Sequence, residues 1–329
     1  MTDLPHPSVP LSQEKADAAF AAILDGTPCD QEIAAFLTAL SERGETATEI
    51  AAAAKAMRDR MIAIEAPEGT IDVCGTGGDG LHTLNVSTAV AIVVAACDVP
   101  VAKHGNRAAT SLAGGADTLE ALGLDLDRAS ETAEATLADL GICFLFAQKH
   151  HPALARIGPI RKSLGRRTIF NLLGPLANPA RVKRQLVGVA SVDYAPLYAQ
   201  AMQRIGMTHA MIVSGEDGMD ELSLSAGNRV TELDGDVIRA YALAGADAGL
   251  PGYAPAALRG GDAAYNADAL RRLLLGETGA YRDAVLFNAA AALMVAGEAH
   301  DMRSGVEEAA EAIDKGLANA LLNCWIAYR

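Results

Sequence analysis

The sequence predicts an α/β protein made of a small all-helical domain followed by a larger α/β domain. Three observations carry that expectation. Up to about Ile64 apolar residues recur at helical spacing behind Ser, Asp or Thr caps; "EAPEGT" then breaks the pattern; and from Thr70 short apolar runs alternate with helices and glycine loops.

In chain order, "SQEKADAAFAAILDG", "DQEIAAFLTALSERG" and "TATEIAAAAKAMRDRMIAI" predict three helices, the first two closed by Gly. "TIDVC", "VPVAK", "ICFLF", "RQLVGVA", "HAMIVSG" and "NRVTEL" read as strands with helices between most of them. "HPALARIGPIRKSLGRRTIFNLLGPLANPA" interrupts that alternation with helix and turn signals. The five cysteines are widely spaced with no C-x-x-C pair, so each is expected to be a buried small apolar side chain.

A net charge of −14 argues against general nucleic-acid binding. No apolar run approaches the roughly 18 to 20 residues needed to cross a bilayer, and "MTDLPHPSVP" lacks the marks of a leader, so a cytoplasmic protein is expected. The charge is uneven. Between Leu140 and Val192 there is no Asp or Glu, while Lys149, Arg156, Arg161, Lys162, Arg166, Arg167, Arg181, Lys183 and Arg184 fall there, a pattern suited to binding small anions.

The chemistry concentrates in three places. In "CGTGGDG", Gly75, Gly77 and Gly80 match the G-x-G-x-x-G spacing of a dinucleotide turn, with Asp98 downstream. "LHTLNVST" separates the glycines from a helix expected to start near Asn85, Ser87 or Thr88, and Asp79 sits badly against a bare pyrophosphate, so a different phosphate is the better fit. A second strand and helix follow in "VPVAKHGNRAATSLAGGADTLEALG", whose turn offers Lys103, His104, Asn106 and Arg107 to the same ligand or a second one. Third, Asp217, Asp220 and Glu221 cluster after "HAMIVSG", and hard oxygen ligands beside phosphates are how Mg²⁺ is usually held.

"GTGGDGLHTLNVST", "KHGNRAATSLAGGADTLEALG", "FLFAQKHHPALARIGPIRKSLGRRTIFNLLGPLANPA" and "DGMDELS", in this order, resemble the anthranilate phosphoribosyltransferases over nearly the whole chain. The resemblance implies a large α/β domain with a central, mostly parallel sheet flanked by helices, and an active site at the hinge with the small helical domain. The boundaries it implies are 1–68 with a returning segment at about 152–182 for the helical domain, and 69–151 with 183–329 for the α/β domain, in a homodimer. It implies transfer of phosphoribosyl from phosphoribosyl pyrophosphate to the amino group of anthranilate, with Mg²⁺.

Carried over by motif, Gly75, Thr76, Gly77, Gly78, Asp79, Thr83, Asn85, Ser87, Thr88, Lys103, Asn106, Arg107 and Ser111 are the positions expected to hold phosphoribosyl pyrophosphate. Gly75, His104, Asn106 and Arg161 are those expected to hold anthranilate, and Ser87, Asp220 and Glu221 those linked to the metal. No general base is assigned; His104 and Asn106 orient the acceptor. Leu112, Ala113 and Ser214 stand where the family often has Lys, Ser and His, so Thr110, Ser111 or backbone is left to replace one phosphate contact. Pyrimidine-nucleoside phosphorylases share the "KH" turn but tend to "KHGGR", where this chain has Asn106. A nucleic-acid-binding paralogue of the same fold would want a basic surface.

Overall fold

The computed structural model describes residues 4–108 and 112–329. The chain opens with helices α1 (Gln13–Leu24), α2 (Asp30–Arg43) and α3 (Ala47–Arg58). Local capping sets their starts. The Ser12 side chain accepts from the Lys15 N–H, and Thr46 and Glu49 form a reciprocal capping box at α3. Two expectations need correction. The cap of α2 is Cys29, with Asp30 already inside the helix, because Glu32 reaches back to the Cys29 N–H at 2.7 Å. Helix α3 stops at Arg58 instead of running on to Ile64: the N–H groups of Ile62 and Ile64 donate to the carbonyls of His150 and Pro179, which holds this stretch out of the helix.

The α/β part runs β1 (Ile71–Gly75), α4 (Val86–Ala95), β2 (Val101–Gly105), α5 (Gly115–Leu122), α6 (Leu126–Glu131), α7 (Ala133–Leu140), β3 (Ile142–Phe146), α8 (Ala147–His150), α9 (Leu154–Leu164) and β4 (Arg184–Gly188). It continues with α10 (Ala195–Arg204), β5 (His209–Gly215), β6 (Asn228–Asp234), β7 (Val237–Leu243), α11 (Ala263–Leu274), α12 (Ala280–Ala296), α13 (Met302–Asp314) and α14 (Leu317–Ala327). The strands form one sheet in the order β3-β2-β1-β4-β5-β6-β7; β3 to β5 are parallel, and β6 and β7 add an antiparallel edge. The expected mostly parallel sheet is observed. Strand β7 was not expected, although Gly235-Asp236 between two alternating runs is a hairpin signal.

Successive residues of the central strands face opposite cores. Leu186 and Met211 join the cluster under α4, α12 and α13, whereas their neighbours Val187 and Ile212 join the cluster shared with α1, α2 and α3. The segment after α8 enters the second cluster through Ile157, Ile160, Ile169, Phe170 and Leu173, beside Phe20, Leu37 and Ile50. Three of its basic side chains are held in ion pairs: Arg156 with Asp30, Arg166 with Glu42 and Arg167 with Glu45. The cysteines divide, with Cys74 and Cys143 buried but Cys29 and Cys324 exposed, contrary to the expectation for all five.

Candidate functional site

Strands β1 and β4 are adjacent although β2 and β3 intervene in sequence, so the sheet order reverses between them. A crevice outside the carboxyl ends of strands is expected at such a switch point. A cavity of about 430 Å³ opens there. Its walls come from the loops after β1, β2 and β5 and from the α9 segment.

Every site residue carried over by motif and lying among the described residues lines this cavity: Gly75, Thr76, Gly77, Gly78, Asp79, Thr83, Asn85, Ser87, Thr88, Lys103, His104, Asn106, Arg107, Arg161, Asp220 and Glu221. Ser111 and Thr110 lie outside the described residues. Of the nine bases in the acid-free window only Arg161 reaches the wall. Asp217 does not join Asp220 and Glu221; its carboxylate closes its own turn on Ser223 and Ser225.

The glycines have separate reasons. Gly77, Gly78 and Gly80 have φ of +70°, +85° and +72°, which only glycine adopts without strain. Gly75 instead makes room. A Cβ there would overlap the Asp220 carboxylate, and one on its cross-strand partner Gly188 would overlap the Asp220 carbonyl. The pair thus lets the acidic loop dock on β1 and β4. Asp220 Oδ2 accepts from the Gly77 N–H at 2.6 Å, and Glu221 Oε1 from the Ser87 N–H at 3.1 Å. Burial, then the charge of Asp79, pushes the Asp220 carboxyl well above its ordinary range; burial, then Asp220, does the same to Glu221.

Lys103, 4 % exposed, points its ammonium at the Val73 carbonyl (2.8 Å) and Ser87 Oγ (3.3 Å). Beneath it Asp72 is fully buried, its pKa raised by burial against the pull of Lys103. Some expected contacts are already engaged. Asn85 Oδ1 accepts from Thr118 Oγ1 (2.5 Å) and Asn266 Nδ2 (2.9 Å), its Nδ2 donates to the Ala113 carbonyl (3.1 Å), and its carbonyl accepts from Tyr281 OH (3.1 Å). The Arg107 guanidinium pairs with Asp117 and Glu120. Asn106, exposed, accepts the Arg107 N–H.

From the α9 segment, Arg161 Nη2 donates to Asn171 Oδ1 (3.3 Å) beside the Phe170 ring, and burial lowers its pKa. His104 Nδ1 lies 2.9 Å from the Gly174 carbonyl and its Nε2 3.2 Å from Nε2 of His151. A carbonyl can only accept, so a neutral His104 carries its proton on Nδ1 and turns an unprotonated Nε2 toward His151, whose ring also faces the Ala177 backbone. Burial first, then His151, drives His104 down to about 3, while burial and His150 take His151 to about 4. Both rings are neutral near pH 7, and both nitrogens of His104 are engaged by protein. His151, Asn171 and His82 are wall residues the sequence reading missed. His151 and Asn171 declare themselves only through tertiary contacts; His82 was adjacent to the glycine motif and holds a φ of +52°, rare outside glycine.

Two family descriptions match the chain: "Glycosyl transferase family, helical bundle domain" over residues 8–61 and "Glycosyl transferase family, a/b domain" over residues 68–319. The anthranilate phosphoribosyltransferase of Novosphingobium aromaticivorans is 69% identical over 327 residues, covering 99% of both chains. That of Sphingopyxis alaskensis is 68% identical, covering 99% of this chain and 98% of its own. Among solved structures, the anthranilate phosphoribosyltransferase of Thermus thermophilus superposes with a TM-score of 0.91 at 42% identity, covering 98% of this chain and 96% of that one. The Saccharomyces cerevisiae enzyme in complex with PRPP and Mg superposes at 0.88 and 30% identity, covering 96% and 93%. With its whole length matched by such relatives, the chain belongs to the anthranilate phosphoribosyltransferase family of glycosyl transferases.

Proposed function

We infer that this chain transfers the phosphoribosyl group of 5-phosphoribosyl 1-pyrophosphate (PRPP) to the amino group of anthranilate, releasing pyrophosphate, a step of tryptophan biosynthesis. The observation that carries the reading is full-length identity of 69% to an anthranilate phosphoribosyltransferase. It favours this activity over nucleoside phosphorolysis and nucleic-acid binding. The cavity supports it with glycine-loop amides and Lys103 on one wall and Arg161 on the other.

The residues present suit Mg²⁺. Asp220 and Glu221 are enclosed carboxylates whose proton affinity is raised by burial, and then by Asp79 at Asp220 and by Asp220 at Glu221, a state that a cation relieves. Among the described residues no three His, Cys, Asp or Glu side chains form a ready cage. That accords with an ion shared between one or two carboxylates and substrate phosphates. Asp220, Glu221 and Ser87 would hold it, and when bound it supplies positive charge against the pyrophosphate leaving group.

As the C1–O bond breaks, positive charge grows on the ribose and negative charge on pyrophosphate. Lys103 and the amides of the glycine loop stabilise the second. Arg161, braced by Asn171, grips the acceptor carboxylate in two hydrogen bonds and turns the amine toward C1. His104 contributes a neutral ring to the acceptor wall and no free nitrogen. The weakly basic aniline nitrogen attacks as the free amine and loses its proton after the bond forms.

The helical domain of 1–68 with 152–182, its action in a homodimer and its place in the cytoplasm belong to the same proposal. The shared apolar cluster of α1 to α3 with Ile157 and Phe170 supports the first; the multiply charged, membrane-impermeant substrate supports the last. Mixing protein, anthranilate, PRPP and Mg²⁺ and following anthranilate fluorescence tests the activity. Fluorescence should fall with time; no fall, with phosphorolysis of thymidine instead, would overturn it.

A further inference from the structure

Two backbone donors of the phosphate cradle are already held by carboxylates of the protein itself. Gly77, in the glycine loop, donates its N–H to Asp220, and Ser87, in the first turn of α4, donates its N–H to Glu221. These are the free amides that a glycine loop and a helix start offer to a phosphate. The arrangement is built into the sheet: Gly75 and Gly188, paired across β1 and β4, lack the Cβ atoms that would keep Asp220 out.

We propose that Asp220 and Glu221 act as internal anions that close the pyrophosphate cradle to free phosphates and yield it to cation-complexed pyrophosphate. This deepens the transferase reading and rests on it. A metal-free polyphosphate arriving at these amides meets two carboxylates that compete for the same donors and repel it. Lys103 keeps its ammonium on the Val73 carbonyl and Ser87 Oγ, so its charge lies beside the cradle without releasing either amide from its carboxylate. In the presence of a divalent cation the two carboxylates gain a better partner, leave the amides and join the binding of the anion they had excluded. Selectivity for the metal complex thus resides in two occupied hydrogen bonds.

The distinguishing experiment is calorimetric titration of the full chain with sodium pyrophosphate, in EDTA and in Mg²⁺. The wild type should bind at least about 100-fold more weakly in EDTA, and D220A/E221A should gain at least about tenfold in EDTA while losing most of its response to Mg²⁺, as expected when like charges leave a site. Glu221→Gln keeps an acceptor for the Ser87 N–H without the charge and should show a smaller gain; it also serves if the double variant does not fold. Equal wild-type affinity in both buffers, or no gain in any variant, would overturn the proposal. The transfer assay run in parallel separates the two readings. Wild-type turnover without a gain in the variants rejects only the internal-anion proposal, while a gain without turnover supports the proposal and rejects the activity.

Discussion

Gly188 at the end of β4 lies directly beneath Asp220, close enough that a Cβ on it would overlap the Asp220 carbonyl oxygen. The opposing atom is backbone, so relief requires moving the whole acidic loop. Gly188→Ala is therefore expected to lose about 1 to 3 kcal/mol of stability by overpacking, and kcat/KM on the order of 100-fold by misplacement of Asp220 and Glu221. Chemical denaturation and steady-state rates check both. Unchanged turnover would show that the loop does not depend on this contact.

Arg161→Ala should raise KM for anthranilate by about 1.5 to 3 kcal/mol, the cost of a lost charged hydrogen bond, and leave KM for PRPP nearly unmoved. Asn171→Leu should move the same constant in the same direction by less, because it only frees the guanidinium. Steady-state kinetics with each substrate varied in turn gives the comparison; equal effects on both substrates would contradict the placement of Arg161 on the acceptor wall.

The histidine pair sets an acid limit on stability. Burial holds His104 at about 3 and His151 at about 4 in the folded chain, below the ordinary 6.5. The unfolded chain therefore takes up protons below about pH 6.5 that the folded chain refuses. Stability falls as pH drops from 6.5 toward 4, by up to about 1.4 kcal/mol per pH unit for each group. Thermal melting across that range should show a shallower fall in His151→Gln, whose amide can still donate to His104. An unchanged slope would mean that His151 is already protonated in the folded protein.

Asn266, 1 % exposed on α11, donates to Asn85 Oδ1 and accepts the Gly261 N–H, tying the loop before α4 to the start of α11. Asn266→Ala should cost about 1 to 3 kcal/mol by leaving buried polar groups unpaired, and should raise KM for PRPP more than KM for anthranilate. Denaturation and the two KM values decide it.

Much of this was legible from local pattern. Strands β1 to β6 announced themselves as short apolar runs, and the two strand-end loops carried their chemistry in contiguous motifs. Strand β7 escaped because its alternation is half exposed at the sheet edge, with Arg239 and Tyr241 reaching Glu232. Helix α3 was drawn too long because nothing near Ile62 and Ile64 foretells the distant carbonyls that take their N–H groups. The role of Gly75 was read as closeness to phosphate; what crowds it is Asp220, 145 positions away in sequence and invisible to spacing. For the same reason the acid-free window reads as an anion site, whereas three of its six arginines pair with α2 and the loop after it.

The central claim is that one cavity couples loss of pyrophosphate to capture of anthranilate. The most direct measurement follows both in a single reaction with PRPP, anthranilate and Mg²⁺: anthranilate by fluorescence, pyrophosphate by an enzymatic phosphate assay. Equimolar disappearance and release, with no pyrophosphate formed when anthranilate is omitted, is the predicted result. Pyrophosphate release that proceeds without anthranilate loss would contradict it.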